Sequence, residues 1–314
     1  MEVVPMGTVR SKKGLFLRRV QSQKTMIFIA LVVLLYVFIF RYLPLWGWVM
    51  AFQDYQPGDS ILGGKWVGLA NFAELFRDPQ FYAAMRNTLA MSFINLIVGT
   101  AACIFLALIF NETRNLFVKR IVQTVSYLPY FVSWVVAASI VVTFLSLDGT
   151  LNSTLVNTGI VEKPILWLAY PDNFWTIIGL SNVWKNVGFG AIVYLASMSG
   201  IDPNLYEAAA IDGAGRLARI WHVTLPSILP TIIVLLILHI GGILNTGFEQ
   251  QMLLGNSMVS DVSEVLDLFV LKYGIGLGQY SYTIAAGMFK SVVSIVLIMG
   301  ANLFAKRLGQ PGIY

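Results

Sequence analysis

The sequence contains few of the residues on which enzymes and disulfide-stabilised domains depend. Its 314 residues include one cysteine and two histidines, and only 12% are charged, against about 25% in a typical soluble domain. A single cysteine excludes an intrachain disulfide. No G-x-x-x-x-G-K-[ST] phosphate-binding loop occurs, and His, Cys, Asp and Glu do not cluster. We therefore predict no metal site, no catalytic residues and no cofactor held by this chain.

Apolar residues are abundant, at 57% of the chain, and the mean hydropathy is +0.73. A helix needs about 20 apolar residues to cross a bilayer. Six stretches reach that length, near 25–47, 87–110, 122–146, 174–198, 226–247 and 283–304. This pattern predicts an all-α polytopic membrane protein with six transmembrane helices. The predicted organisation is a basic N-terminal segment, 1–24, and a membrane domain, 25–314.

The distribution of lysine and arginine predicts how these helices are oriented. If both termini are cytoplasmic, 13 of the 21 basic residues fall in cytoplasmic segments, six in outer segments when Arg41 at the outer end of the first span is included, and two within other spans. Cytoplasmic loops of membrane proteins carry such an excess. The net charge of +5 therefore reflects topology. It does not indicate nucleic acid binding, because no basic patch is interleaved with aromatic residues.

One polar segment, 199–226, separates the fourth and fifth predicted spans. Asp202 precedes Pro203, which is the usual order of an N-cap residue and the first residue of a helix. Good helix formers follow, and Gly213 marks the end of that helix. A second short helix then leads to Pro226. The segment is predicted to form a helical hairpin in the cytoplasm.

The same segment carries a specific pattern: Glu207-Ala208-Ala209, three residues, Gly213, nine residues, then Val223-Thr224-Leu225-Pro226. This pattern resembles the EAA loop of membrane subunits of type I, binding-protein-dependent ABC importers, with Val in place of Ile. The resemblance implies a coupling helix that docks on a separate ATPase, which binds ATP and Mg. The residues implied in coupling are Glu207, Ala208, Ala209, Asp212, Gly213 and Pro226.

The layout of six spans, with this loop between the fourth and fifth, is similar to the maltose-type carbohydrate branch of the family. Shorter sequences, including Arg41 to Gly47 and Gly278 to Tyr282, resemble the LplB-like group of permeases for larger oligo- and polysaccharides. The resemblance implies a bacterial inner (plasma) membrane location. It also implies three partners: a second homologous permease, a dimer of ABC ATPases, and an extracellular or periplasmic solute-binding protein.

Polar residues within the apolar spans are the candidates for a substrate pathway, since a charge inside a bilayer costs several kcal/mol unless it faces a cavity or a partner. In maltose-type permeases the helices on either side of the EAA loop hold the sugar. Aromatic residues there would stack on sugar rings, and amides would bind hydroxyl groups. The candidates are Trp184, Lys185, Asn186, Phe189, His239, Asn245, Glu249 and Lys290.

Two of these candidates suggest a charged cargo. Lys185 and Lys290 both lie within spans, and neutral sugars need no cation, so we predict an oligosaccharide that contains uronic acid, such as one from pectin, xylan or alginate. Lys185 is also compatible with an ion pair to a carboxylate of the partner permease. His239 is equally compatible with ordinary packing.

Other classes of membrane protein remain as alternatives. A channel or secondary transporter should show inverted repeats or broken helices in matching halves. A membrane enzyme should show clustered acidic residues or histidines at one membrane face. Neither pattern occurs in the sequence. An ABC importer of amino acids, metals or phosphate is the alternative within the family.

Overall fold

The computed structural model describes residues 23–310 and 312–313, and these residues are almost entirely helical. All but the last two residues of the predicted basic segment, 1–24, lie outside the described part. The helices and strands are, in chain order, α1 (Lys24–Val37), β1 (Gln53–Asp54), β2 (Lys65–Trp66), α2 (Ala70–Leu75), α3 (Pro79–Ile94), α4 (Thr100–Glu112), α5 (Leu116–Tyr127), α6 (Trp134–Leu145), α7 (Thr150–Asn157), α8 (Pro171–Ser199), α9 (Pro203–Ile211), α10 (Arg216–Arg219), α11 (Leu225–Gly241), α12 (Glu249–Leu254), α13 (Ser260–Ser263), α14 (Leu266–Val270) and α15 (Tyr280–Arg307).

Short π-helical and 3₁₀-helical turns join several of these helices. The π-helical turns are Phe38–Tyr42, Asn95–Gly99, Ile220–Thr224 and Leu271–Gly276, and the 3₁₀ turns are Leu43–Phe52, Leu128–Phe131, Trp167–Ala169 and Ser257–Val259. Strands β1 and β2 form an antiparallel hairpin in which Gln53 pairs with Trp66.

Five helical segments of the described chain are long and apolar enough to cross a membrane. They are Lys24–Phe52, Pro79–Glu112, Trp134–Asn157, Arg216–Gly241 and Tyr280–Arg307. The helix α8 overlaps the fourth predicted span but is not among them. Its 29 residues are sufficient in length, but they include Ser181, Asn182, Lys185 and Asn186. Five candidate spans are therefore found where the sequence predicts six.

The predicted span 122–146 does not form one continuous helix. The helix α5 and its 3₁₀ turn end at Phe131, and α6 begins at Trp134. Pro129 has no N–H to continue a helical ladder, and the Ser133 hydroxyl accepts a hydrogen bond from the Val136 N–H at 3.4 Å. A proline followed by a new N-cap therefore interrupts the helix at residues 128–133.

The helix α8 occupies the centre of the bundle. Near its C-terminal end, Tyr194 and Met198 pack with Phe110 of α4 and Ile228 of α11. Near its N-terminal end, Phe174 and other residues pack against the segment after α11. In contrast, α1 has no buried residue. Its apolar side chains are therefore available to contact lipid or another subunit.

Candidate functional site

A cavity of ≈ 450 Å³ lies between the Asn95–Gly99 turn, α4, α8 and α11. This volume is within the range of about 300–1,000 Å³ that is typical of small-molecule sites. Its polar lining residues are Ser92, Asn95, Thr100, Asn182, Asn186, His239, Asn245 and Thr246, and its aromatic ones are Tyr130, Phe189 and Tyr194. Lys, Arg, Asp and Glu are absent from the lining that the described residues form.

Four of the residues predicted from the sequence line this cavity together: Asn186, Phe189, His239 and Asn245. The Phe189 ring stacks on the Tyr130 ring, with centroids 4.0 Å apart and planes 5° from parallel. The Asn186 amide donates to the Asn182 side-chain oxygen at 3.0 Å. The cavity therefore offers amide groups for hydroxyl recognition and a flat aromatic pair.

Two other predicted residues lie elsewhere. Trp184 lines a separate cavity of ≈ 580 Å³, whose walls are mostly apolar side chains of α6 and α8. Glu249 begins α12, is exposed, and does not line either cavity. The structure does not bring these two residues into contact with the polar cavity.

Lys185 is buried but does not line the polar cavity; its residue is 6% exposed. Its ammonium donates to the carbonyl oxygens of Tyr130 at 3.0 Å and of Pro129 at 3.4 Å. The same ammonium lies 5.7 Å from the Tyr130 ring centroid and 5.4 Å from that of Trp134. These carbonyl groups and aromatic rings of the chain itself therefore compensate the charge of Lys185.

Lys290 is also buried, and it forms an ion pair with Asp267 of α14. The other carboxylate oxygen of Asp267 accepts from the Gly247 N–H at 2.8 Å. Lys290 thus connects α15 through Asp267 to the turn that carries Asn245 and Thr246. Both lysines on which the sequence-based prediction of a charged cargo rested have partners inside the chain.

The cavity also contains polar residues that the sequence analysis did not select. The Asn95 Oδ1 and Thr100 Oγ1 atoms are buried and have no hydrogen-bond partner among the described residues. Both residues line the cavity. Both could have been selected from the sequence, because each is a polar residue within the apolar stretch 87–110.

Another polar residue that the sequence analysis did not select, Gln250, does not line the cavity; it is 4% exposed and holds α12 against α8. Its amide donates to the Ile178 carbonyl at 2.8 Å and accepts from Asn182 at 3.3 Å. The neighbouring Glu249, just beyond the outer end of the fifth predicted span, was predicted instead.

The predicted hairpin forms at the opposite end of α8. The Asp202 side chain accepts from the Asn204 N–H at 2.9 Å and caps α9, as predicted. Gly213 adopts a φ of 78°, and the Ala214 N–H returns to the Ala209 carbonyl at 2.9 Å. A left-handed glycine of this kind is the common way to end a helix. The Tyr206 and Thr224 hydroxyls, 3.0 Å apart, join the two arms.

The outer surface of the hairpin is not covered by the rest of the chain. Glu207, Ala208 and Asp212 are exposed, and Ala209 is half-buried. Three large apolar side chains are also exposed there: Ile211 at 87%, Leu217 at 74% and Trp221 at 66%. Pro226 is the second residue of α11, which continues directly from the Ile220–Thr224 π-helical turn.

A family model and several known proteins match this chain over most of its length. Residues 99–310 match the family described as "Binding-protein-dependent transport system inner membrane component". The chain is 44% identical over 282 residues to Protein LplB of Bacillus subtilis (strain 168), covering 90% of this chain and 88% of LplB. It is 43% identical over 303 residues to the polygalacturonan/rhamnogalacturonan transport system permease protein YteP of the same organism, covering 96% and 94%.

Among solved structures, the chain is similar to a chain of a bacterial alginate ABC transporter in complex with an alginate pentasaccharide-bound periplasmic protein. The TM-score is 0.86 at 36% identity, and the match covers 94% of this chain and 99% of the other. The type I ABC permease fold implied by the EAA pattern is therefore confirmed. So is the prediction that the chain is a transporter subunit and not an enzyme, with ATP hydrolysed by a separate partner.

A match over more than half of the chain, together with relatives that are more than 40% identical along nearly its whole length, establishes the family. The chain is an integral inner-membrane protein that works with a solute-binding protein and an ATPase, and it belongs to the binding-protein-dependent transport system inner membrane components.

Proposed function

We propose that this permease subunit carries an acidic oligosaccharide, one that contains uronic acid, through the polar cavity by alternating access. The observation that carries this proposal is a shared class of cargo among relatives. YteP is a polygalacturonan/rhamnogalacturonan permease, and the solved alginate transporter is described as importing an acidic polysaccharide. Both align with more than nine-tenths of this chain.

The cavity supports recognition by hydroxyl contacts and ring stacking. Asn186, Asn245 and His239 would hydrogen-bond sugar hydroxyl groups or carboxylate oxygens. The Tyr130–Phe189 pair would stack on a pyranose ring. Asn95 and Thr100 add two buried oxygen atoms that have no partner among the described residues, and a sugar hydroxyl would satisfy them. We assign no direct substrate contact to Trp184, Lys185, Glu249 or Lys290, because each lies outside this lining.

We further propose that α8 is a sixth membrane span, with both termini in the cytoplasm. Its 29 residues extend about 43 Å at 1.5 Å per residue, which exceeds the roughly 30 Å hydrocarbon core. Its polar residues do not argue against this, because Asn182 and Asn186 face the cavity and Lys185 is buried. This arrangement places the α9–α10 hairpin in the cytoplasm, as the excess of basic residues supports.

In the proposed mechanism the hairpin couples this chain to an ABC ATPase. Glu207 and Asp212 would form charged hydrogen bonds with the ATPase, and Ala208 and Ala209 would allow close approach. The exposed Ile211, Leu217 and Trp221 would supply apolar contact area. ATP and Mg are bound by the ATPase dimer. A second homologous permease would complete the pathway and cover the exposed face of α1.

Reconstitution tests this function. The complete importer, in proteoliposomes, is given its binding protein and a panel of oligogalacturonides, oligoalginates, neutral oligosaccharides, phosphate and amino acids. We expect ATPase stimulation and uptake with the uronides, and not in a control without the binding protein. Stimulation by neutral sugars alone would contradict the acidic cargo. Stimulation by phosphate or amino acids alone would contradict an oligosaccharide.

A further inference from the structure

The buried ammonium of Lys185 is held by the end of a broken helix. Its two acceptors, the carbonyls of Pro129 and Tyr130, lie in the 3₁₀ turn that ends the α5 helix. The last carbonyls of a helix lack partners within it and carry its negative partial charge. A cation is therefore a favourable partner at this position.

Aromatic faces complete the surroundings of this cation. Tyr130 lies within the break and Trp134 directly follows it, and both rings lie within 6 Å of the Lys185 ammonium. Within the described part of the chain, the ion pairs with an N–O distance of 4.0 Å or less do not include Lys185. Because the residue is only 6% exposed, a carboxylate from another subunit would have little access to it.

A glycine one turn further along α8 makes a second, independent contact with the same region. A Cβ atom built at Gly188 would lie 1.9 Å from the Ser126 carbonyl oxygen. The backbone of α8 therefore packs directly against the end of α5, and any larger residue would separate them. Lys185 and Gly188 together fix the position of residues 126–130 on α8.

Fixing this segment determines where the aromatic pair lies. The Tyr130 carbonyl accepts from Lys185, while the Tyr130 ring stacks on Phe189 at 4.0 Å. Both rings line the polar cavity, whereas Lys185 does not. The contact that orders the backbone of Tyr130 is thus separate from the surface that the cavity presents.

We infer that Lys185 is a positioning residue: it holds the helix break at 128–133 so that Tyr130 and Phe189 form the ring-stacking surface of the cavity. This inference rests on the proposed function, in which a sugar ring occupies the cavity. It differs from direct recognition of a cargo carboxylate by Lys185. A positioning role affects all sugars that stack on the pair, whereas direct recognition affects only acidic ones.

The test uses a double-mutant cycle in the reconstituted importer. The variants are Lys185→Met, Tyr130→Ala and both together, with Lys185→Arg as the conservative control. Uptake is measured with an oligogalacturonide and with its neutral methyl ester, at saturating loaded binding protein. Co-purification with the partner subunits checks assembly for each variant.

We expect Lys185→Met to lower uptake of both sugars about tenfold, the scale of one lost charged hydrogen bond. Lys185→Arg should recover most of the loss. In the Tyr130→Ala background, Lys185→Met should add less than about twofold, because residues that act through one another are not additive. If Lys185→Met does not assemble, Lys185→Gln, which keeps a donor without the charge, is measured in the same way.

Two results would overturn the inference: a loss confined to the acidic sugar, or full additivity with Tyr130→Ala. Either can occur while the wild-type importer still transports the oligogalacturonide, so neither result would contradict the proposed function. Failure of the wild-type importer to transport the oligogalacturonide would contradict the proposed function itself.

Discussion

The α9–α10 hairpin connects α8 to α11, two of the helices that line the polar cavity, but the hairpin and the cavity are constructed differently. The hairpin is stabilised by contacts between neighbours in the sequence, such as Asp202 with Asn204 and Ala214 with Ala209. The cavity is formed by residues from 92 to 246, and its support reaches to Asp267 and Lys290. One region is a small, self-contained element, and the other depends on the packing of the whole bundle.

This difference suggests different tasks. A local, capped hairpin keeps its shape when it is pushed, whereas a cavity between separate helices changes when those helices move. The two are mechanically connected near the hairpin, where the Ser197 and Thr231 hydroxyls of α8 and α11 are 2.8 Å apart. In the proposed mechanism, motion of the hairpin therefore reaches the cavity through these helices.

The largest effect is expected from reversing a charge on the hairpin. Glu207→Arg should reduce ATP-dependent uptake of every sugar by more than about a hundredfold, because like charges at an interface cost several kcal/mol. Glu162→Arg, at another exposed glutamate, is the matched control and should transport normally. Uptake of labelled oligosaccharide by proteoliposomes measures both. Normal uptake by Glu207→Arg would show that Glu207 has no role in coupling.

A smaller effect, on stability, is expected from the ion pair that supports the cavity. Lys290→Met leaves the Asp267 carboxylate, which is partly buried, without its cation, and should destabilise the fold by about 3 kcal/mol. The double variant Lys290→Met/Asp267→Asn should recover much of this loss, since no charge is then left unpaired. Thermal unfolding of the purified complex measures both. A single variant as stable as the wild type would show that the pair contributes little.

Within the cavity, removal of one aromatic ring should have an effect of about tenfold. Phe189→Ala removes half of the stacking surface, and an aromatic stacking pair is worth about 0.5–1.5 kcal/mol beyond its buried area. Phe105→Ala is the control, because Phe105 is 66% exposed and does not line the cavity. Initial uptake rates of an oligogalacturonide compare the two. Equal uptake rates for the two variants would show that Phe189 does not contribute to the substrate pathway.

The smallest effect belongs to the exposed pair of Lys272 and Glu264, which lies outside both regions. The hydrogen bond to Glu264 raises the pKa of Lys272 above its ordinary value of 10.5. A raised pKa means that the pair stabilises the fold below pH 10.5, and that this stabilisation disappears as the pH rises through the higher folded value. Because the Lys272 side chain is 53% exposed, the contribution should be about 1 kcal/mol or less. Unfolding of Lys272→Met and the wild type should therefore converge at very alkaline pH. A difference that persists there would indicate another role.

The sequence predicts the local features of the molecule well. Asp202 and Gly213 identify the ends of α9, because capping and left-handed glycine depend on adjacent residues. Five of the six predicted spans overlap a membrane-length segment, although the third does so only from residue 134. The interruption at Pro129 was missed because its flanking residues are apolar enough to continue a span.

Partners that are distant in the sequence could not be predicted. The acceptors of Lys185 are backbone carbonyls 55 and 56 positions away, which no residue type reveals. Asp267 lies in the segment between the fifth and sixth predicted spans, and only the fold brings it to Lys290. A charge within a span indicated that each lysine was important, but the sequence alone did not distinguish a substrate contact from an internal one.

The central claim is that an acidic oligosaccharide occupies the polar cavity, and cysteine protection tests it most directly. Cys103 is the only cysteine in the sequence, so Cys103→Ser removes the thiol of this chain. In that background, Thr246→Cys places a thiol on the cavity lining, and Leu277→Cys places one at an exposed position outside it. During ATP-driven turnover with loaded binding protein, an oligogalacturonide should slow maleimide labelling at position 246 and not at position 277. Labelling at position 246 that is unaffected by the sugar would contradict the account.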